Sequence, residues 1–248
     1  MRILRRIFIT VAITLTVLFV AIYGVAPVAL SYYEARKALP ITKIVPTELQ
    51  DRSVSDAPST KLSYLGYEFQ VPWSDLDETQ TKLYPSDKPQ KVRADLHFHS
   101  GLRLSVSVGP PRTFETQIAN DIHTSPQVFE TLFGKSDYSF VKTVYEFSPD
   151  KIRHWPPSSS HSSRDMVLLM LKSILPSKPA ESGIFNAQNA SYKGFQQGNP
   201  NTEHDGIILS LYSDEGGIEF VFSLKNYKGP SLTQPELNLI IQSIRKTA

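Results

Sequence analysis

The chain has 248 residues, 26 Lys and Arg against 24 Asp and Glu for a net charge of +2, and no cysteine. The missing cysteines exclude disulfides, thiolate chemistry and lipid attachment through a thiol. Three of the positive charges are Arg2, Arg5 and Arg6, and setting them aside turns the net charge to −1, which removes the electrostatic case for a nucleic-acid partner.

From Ile7 to Tyr33 no side chain is charged, and from Ile7 to Leu30 nearly every residue is apolar, Gly or Thr. About 20 apolar residues cross the roughly 30 Å hydrocarbon layer, so residues 7–33 predict one N-terminal transmembrane helix. The three arginines outweigh the mixed flank of Glu34, Arg36 and Lys37, which orients residues 1–6 to the cytoplasm and the rest of the chain outside. Tyr32 and Tyr33 suit the membrane boundary. A cleaved export signal starts in the same way, but its apolar region is normally about 7–15 residues and ends at a small-residue site. Here the run is longer, and Pro27 would stand two before the one suitable residue, Ala29. The expected location is the cell membrane, single-pass, with an extracytoplasmic C-terminal domain that is periplasmic in a two-membrane bacterium.

Pro40 stops any extension of the helix. Pro46 and Pro58, scattered among Ser, Thr, Asp and Arg, read as a stalk over 34–60. The folded domain then spans 61–248, about the size of one ordinary domain and ample to bury a core without disulfides.

Leu65, Tyr67, Phe69 and Val71 alternate with polar residues or Gly, predicting one half-buried strand over 62–71, closed by Pro72. Trp73 just beyond it reads as a core plug. Asp75, Asp77 and Glu78 read as a solvated turn, and residues 85–89 continue that polar excursion. Residues 92–99 and 102–108 predict a hairpin turning at Ser100 and Gly101. A three-residue loop, 100–102, separates the faces cleanly: it pairs Phe98 with Leu104, Leu96 with Val106 and Ala94 with Val108. It also gathers Asp95, His97, His99, Arg103, Ser105 and Ser107 on the opposite face, with Arg103 across from His99.

A short helix is predicted over 113–121, with Phe114 and Ile118 on one stripe. A second has Ser125 as its cap, Pro126 at its first position, Phe129, Leu132 and Phe133 facing inward, and Gly134 as its stop. Residues 138–147 fit either a strand or a helix, because Val141, Val144 and Tyr145 also suit helical spacing. A surface loop over 155–163 leads to a helix from Met166 to Leu175, apolar nearly all round and therefore expected in the core. Residues 184–195 predict one strand, followed by a polar loop over 196–205. Residues 206–213 and 218–225 flank Asp214, Glu215, Gly216 and Gly217 as the clearest hairpin. Thr233 and Glu236 form a capping box for a last helix with Leu237, Ile240, Ile241 and Ile244 on one face, and Arg245 and Lys246 complement its dipole.

The fold class expected from these elements is α+β, an antiparallel sheet covered by helices and preceded by the transmembrane helix. A strand closed by a proline near the start, a late long hairpin and a terminal helix over 239–244 (Leu239, Ile240, Ile241, Gln242, Ser243, Ile244) also resemble the PsbP-like α/β/α sandwich family. The resemblance is one of element order over 61–248. It implies an accessory or binding module rather than an enzyme, and it carries no functional residue across.

The sharpest chemical constellation is Asp95, His97 and His99. Positions two apart on a strand point the same way, so the three are candidate ligands for one metal ion; Arg103 opposite His99 opposes that reading, and solvated histidines need no metal. His123, His154, His161 and His204 stand in loop or helix-end settings as solvated residues. Ser159, Ser160, His161 and Ser162 hold the parts of a nucleophile and base, but a flexible serine-rich loop does not hold them in reacting geometry. Asn189, Ala190 and Ser191 match the glycosylation acceptor pattern. No catalytic set is assembled and no cofactor is expected. The favoured function is a membrane-anchored extracytoplasmic module that binds an envelope protein or a small ligand. The alternative is a membrane-tethered, metal-dependent hydrolase built on Asp95, His97 and His99.

Overall fold

Alternating apolar and polar residues organise most of the chain after residue 60, and in the structure they resolve into two sheets and four helices among the described residues. A computed structural model describes residues 40–84, 92–114, 125–148, 160–202 and 206–247. Its strands are β1 (Thr47–Glu48), β2 (Thr60–Tyr64), β3 (Tyr67–Val71), β4 (Leu76–Tyr84), β5 (Val92–Phe98), β6 (Arg103–Gly109), β7 (Ile184–Gln188), β8 (Lys193–Gln197), β9 (Gly206–Ser213), β10 (Gly216–Ser223) and β11 (Arg245–Lys246). Its helices are α1 (Pro126–Phe133), α2 (Asp137–Glu146), α3 (Ser160–Ile174) and α4 (Gln234–Ser243). The fold is α+β. The large sheet has eight strands in the order β1-β7-β8-β9-β10-β6-β5-β4, and the small one runs β11-β3-β2. The large sheet is mixed rather than antiparallel, because β1 runs parallel to β7.

Each face of the large sheet has its own apolar cluster. On one face Leu96, Leu104, Leu209, Phe220 and Phe222 meet the small sheet through Phe69 and Val71, and α4 through Leu237 and Ile240. Burying each such side chain stabilises by about 1.5–3 kcal/mol. Trp73 belongs here, as expected: it is buried edge-to-face on Phe98, and its Nε1 donates to the Tyr227 hydroxyl at 3.0 Å. On the other face Phe129 and Phe133 of α1, Phe140 and Val144 of α2, and Leu168 and Leu171 of α3 pack over Ile184 and Phe195.

Helix ends follow their local chemistry. Ser125 caps α1 by accepting from Val128 N, and Gly134, at φ +88°, ends it. The ambiguous stretch over 138–147 is a helix, because Ser136 and Ser139 form a reciprocal capping box and the apolar pairs 140, 141, 144 and 145 recur at helical spacing. Thr233 and Glu236 cap α4 reciprocally.

Several expectations are corrected. The single strand over 62–71 is two, turning at Leu65 (φ +57°) and Gly66 (φ +79°), the two positive angles a tight hairpin needs. The single strand over 184–195 is also two, turned by Asn189, whose Oδ1 accepts from Ser191 N and Tyr192 N at 2.8 Å. The supposed polar loop contributes Gln196 and Gln197 to β8, both buried. Arg245 and Lys246 do not end α4; they form β11 against β3, where Arg245 pairs with Glu68 and Lys246 with Glu215. The Asn189 amide supplies the helix end instead, donating to Ile241 O at 2.7 Å. The third helix is buried on one side only, since Met170 and Ile174 are exposed.

Residues 40–60, expected as a stalk, lie along the domain where they are described. Thr42 is fully buried, and the Asn238 amide donates to Asp51 O and Ser53 O at 3.0 and 2.7 Å. Carbonyls that a Pro-rich segment cannot pair with itself are satisfied from α4. The predicted anchor over 7–33, most of the helix over 113–121 and most of the 155–163 loop lie outside the described residues. Among those that are described, no helix is long and apolar enough to cross a membrane.

Candidate functional site

Lateral neighbours in a sheet share a face, so the pairing registers write out the helix-facing surface row by row. One row reads Tyr84, Arg93, Ser107, Glu219, Ser210, Phe195, Asn186 and Glu48 from β4 to β1. The row beside it reads Lys82, Asp95, Ser105, Val221, Ile208, Gln197 and Ile184. Phe195 and Ile184 lie under the helices, whereas the positions on β4, β5 and β6 are polar in both rows. A third row adds His97, Arg103 and Ser223. This polar half-face is the candidate site.

The hairpin carrying it confirms the expected faces and corrects the register. Phe98 and Leu104 are buried while His97 is half-buried and His99 exposed. Yet Leu96, not Phe98, pairs with Leu104, and His97, not His99, pairs with Arg103. The loop is 99–101, closed by Phe98 N donating to Leu102 O at 3.0 Å. Leu102 is wholly buried and so is pulled into the core rather than left in the turn. A two-residue shift preserves every face, which is why the faces survived the error.

Asp95 is engaged on this surface. Arg93 donates to both its oxygens at 2.6 and 2.9 Å, and the Ser105 hydroxyl donates to it at 2.5 Å while accepting from Arg93 at 3.0 Å. Burial disfavours the Asp95 carboxylate, but Arg93 and Ser105 outweigh it and hold the group below its ordinary range. Arg93 is about half exposed, so the ion pair itself contributes about 1 kcal/mol or less.

His97 stands beside Asp77 across the strands, and His99 Nδ1 lies 3.8 Å from Asp77 Oδ2. Asp77 was read as part of a solvated turn; it is buried, and its carboxylate accepts from Thr79 N at 3.0 Å, Thr79 Oγ1 at 2.5 Å and Gln80 Nε2 at 2.9 Å. The Thr79 hydroxyl first, then the backbone donors, hold its pKa below the ordinary value against burial. These bonds make the bulge where the β4 register shifts, which blunts an exposed sheet edge. Asp75 pins the β5–β6 turn by accepting from Ser100 N at 2.7 Å. Asp95, His97 and His99 therefore do not converge, and no three His, Asp or Glu among the described residues gather as metal ligands. His123, His154 and His204 lie outside the described residues, as does the side chain of His161.

Sequence reasoning missed the cleft at the border of the two half-faces. It has a volume of ≈ 130 Å³ and lies between β6, β9, β10 and the start of α2. Gly109 and Gly217 are direct cross-strand partners, with Tyr212 next in the row. Gly217 lets the Tyr212 ring lie over the backbone there, where an added Cβ would stand 3.1 Å from it, and that ring meets Phe114 edge-on with centroids 6.3 Å apart. Ser107, Glu219 and Ser210 form the next row, and the Ser210 hydroxyl donates to Glu219 at 3.4 Å. Burial drives the Tyr212 hydroxyl well above its ordinary pKa, with Tyr145 and Glu219 adding to the effect. Asp137 closes one side, accepting from Thr113 N and Phe114 N at 3.0 Å. The signal in the sequence was glycine at both Gly109 and Gly217; Gly217 was read there only as a turn residue, and Gly109 was not singled out.

Beyond the helices, Glu48, Arg52, Asn186 and Gln242 line a polar groove of ≈ 260 Å³. Its groups are largely tied to one another: Arg52 and Asn186 both donate to Glu48, and Gln242 donates to Gln188 O.

Comparison with protein-family models, with curated proteins and with solved structures gave no match.

Proposed function

We propose that the chain is a single-pass membrane protein, held by residues 7–33 with its N-terminus cytoplasmic, whose extracytoplasmic α+β domain is a binding or accessory module. The polar half-face is its recognition surface, and the partner is an envelope protein or a small ligand. The observation that carries this is the use made of the reactive side chains. Asp95 is engaged by Arg93 and Ser105, Asp77 holds a bulge, Asp75 and Asp137 pin loops, and Asn189 ends a helix. Around them stays a ridged surface of Lys82, Tyr84, Arg93, His97 and Arg103, each exposed or half-buried. Such a surface offers hydrogen bonds and charge for recognition. The PsbP-like element order, with the accessory role it implies, accords with the reading.

Two measurements test it on the full chain. Carbonate washing should leave the protein in the membrane fraction, and protease added outside the cytoplasmic membrane should digest the domain; extraction by carbonate sinks the anchor. A photoreactive residue at Val221 should give a discrete adduct in native membranes that Arg103→Glu abolishes. An adduct pattern that Arg103→Glu leaves unchanged sinks the proposed surface.

A further inference from the structure

Helix α3 turns apolar side chains to solvent. Among its described side chains only Met170 and Ile174 are exposed, at 50% and 67%. They stand four residues apart on one face, where a helix in water carries charged or polar groups. The stripe holding Leu168 and Leu171 is already spent on the core. Single exposed apolar residues are ordinary on a surface; what distinguishes this pair is its neighbour.

That neighbour is the entry of the chain into the domain. The turn of 3-10 helix over Pro40–Lys43 packs against α3 and against the turn over Lys178–Ser182 that follows it. Thr42 is fully buried, so the chain enters the domain at a fixed place beside α3. Lys43 and Val45 are exposed at that entry. Seven residues carry the chain from Tyr33, the end of the expected anchor, to Pro40, and fully extended they reach about 25 Å at most. The surface around Pro40–Lys43 is therefore held close to the bilayer. The nearby strand β1 forms one edge of the large sheet and β4 the other, about 30 Å away at about 4.8 Å per strand.

We propose that α3 rests on the outer surface of the lipid bilayer, with Met170 and Ile174 entering the boundary between headgroups and acyl chains and Lys43 lying among the headgroups. This contact rests on the single-pass reading and deepens it, because it gives the domain an orientation in which the polar half-face of β4 to β6 stands away from the tether.

The chain has no cysteine, so Ile174→Cys and Leu83→Cys each give one site for an environment-sensitive fluorophore. Leu83 is as exposed as Ile174 but lies on β4, at the far edge of the sheet. Each full chain is reconstituted in phosphatidylcholine nanodiscs, with and without lipid bearing a nitroxide at the top of its acyl chain. The nitroxide should quench the probe at 174 at least about twofold more than the probe at 83, as a face sunk about 5–10 Å into the boundary requires. Met170→Glu in the chain labelled at 174 should remove most of that difference. Equal quenching at the two sites overturns the contact, as does a difference that Met170→Glu leaves unchanged. A blue-shifted probe at 174 without nitroxide quenching assigns the stripe to a second copy of the chain and overturns it too. Carbonate washing of native membranes separates the failures: protein that resists it and still shows equal quenching loses the α3 contact alone, whereas protein that carbonate extracts loses the anchor.

Discussion

The two halves of the helix-facing surface lie on different strands of the same sheet and share its rows, yet one became core and the other stayed open. Around β7 and β8 the outward positions include Ile184 and Phe195, and α1, α2 and α3 settled over them. Around β5 and β6 the outward positions are Arg93, Asp95, His97, Arg103, Ser105 and Ser107. Burying that set beneath a helix would strip water from charged groups, a cost that the Arg93–Asp95 pair offsets only in part. The opposite face of β5 and β6 is uniformly apolar, with Ala94, Leu96, Leu104 and Val106 fully buried. Alternate residues thus decided, strand by strand, which surface is structural and which is free to recognise something.

The comparison breaks first at Phe195. Its ring stacks on Tyr138 and meets Tyr145 edge-on. Phe195→Ala should destabilise by about 3–5 kcal/mol in denaturant unfolding. A loss under 1 kcal/mol would mean that the covered half is not the stabilising half.

Lys172 of α3 sharpens the same point from its polar side. It is fully buried, and its Nζ donates to Phe147 O at 2.7 Å and to Tyr145 O, a cation at the C-terminal end of α2. Lys172→Met should lower stability by about 2–3 kcal/mol, because it leaves buried carbonyls without their donor. An unchanged unfolding midpoint would show that those carbonyls find water.

On the open half the effects shrink. The Asp95 pKa is depressed in the folded state, so its contribution is present above the ordinary carboxylate range and is lost as pH falls through the depressed value. Asp95→Asn should therefore reduce stability by about 1 kcal/mol near neutral pH, with the gap to the native protein closing as the pH falls below the ordinary carboxylate range. A gap that persists into strong acid would assign the effect to packing.

His97→Ala and His99→Ala should each stay within about 0.5 kcal/mol of the native stability. The purified chain, prepared without a metal-binding tag, should show the same metal content by elemental analysis before and after both changes. Loss of a stoichiometric metal in the double variant would restore the hydrolase reading.

Local chemistry was legible wherever the signal is short-range. Ser125, Pro126 and Gly134 marked α1, Thr233 and Glu236 opened α4, and the hairpin around Asp214 and Glu215 was found, although Gly216 and Gly217, read as part of its turn, belong to the second strand and pair with Ser213 and Tyr212. The faces of the Asp95–His97 hairpin were legible because side-chain period is two. Its register was not, since only the burial of Leu102 separates a loop at 99–101 from one at 100–102. The turns at Leu65 and Asn189 hid inside continuous alternation, because a short tight turn leaves the apolar period unbroken on both sides. The strand β4 hid for another reason: an edge strand with an open face needs few apolar residues, and Asp77, Glu78 and Thr79 resemble a turn. Of the candidate site, the row of Asp95, His97, Arg103, Ser105 and Ser107 was read correctly as one face. The engagement of Asp95 and the glycine cleft were not, since both depend on neighbours brought in from other strands.

The sequence alone determined the apolar N-terminal run, the absence of cysteine, the helix caps, the α+β class and the two-sidedness of the strands. Each of these is set by residues within a few positions of one another. Tertiary structure decided which rows line up across β4 to β10, that Gly109 meets Gly217, and that Asp51, Ser53 and Ser55 bond to α4 rather than standing apart from it. Those outcomes rest on contacts between residues far apart in the chain, where registers differing by two residues bury the same faces and only the packed whole chooses between them.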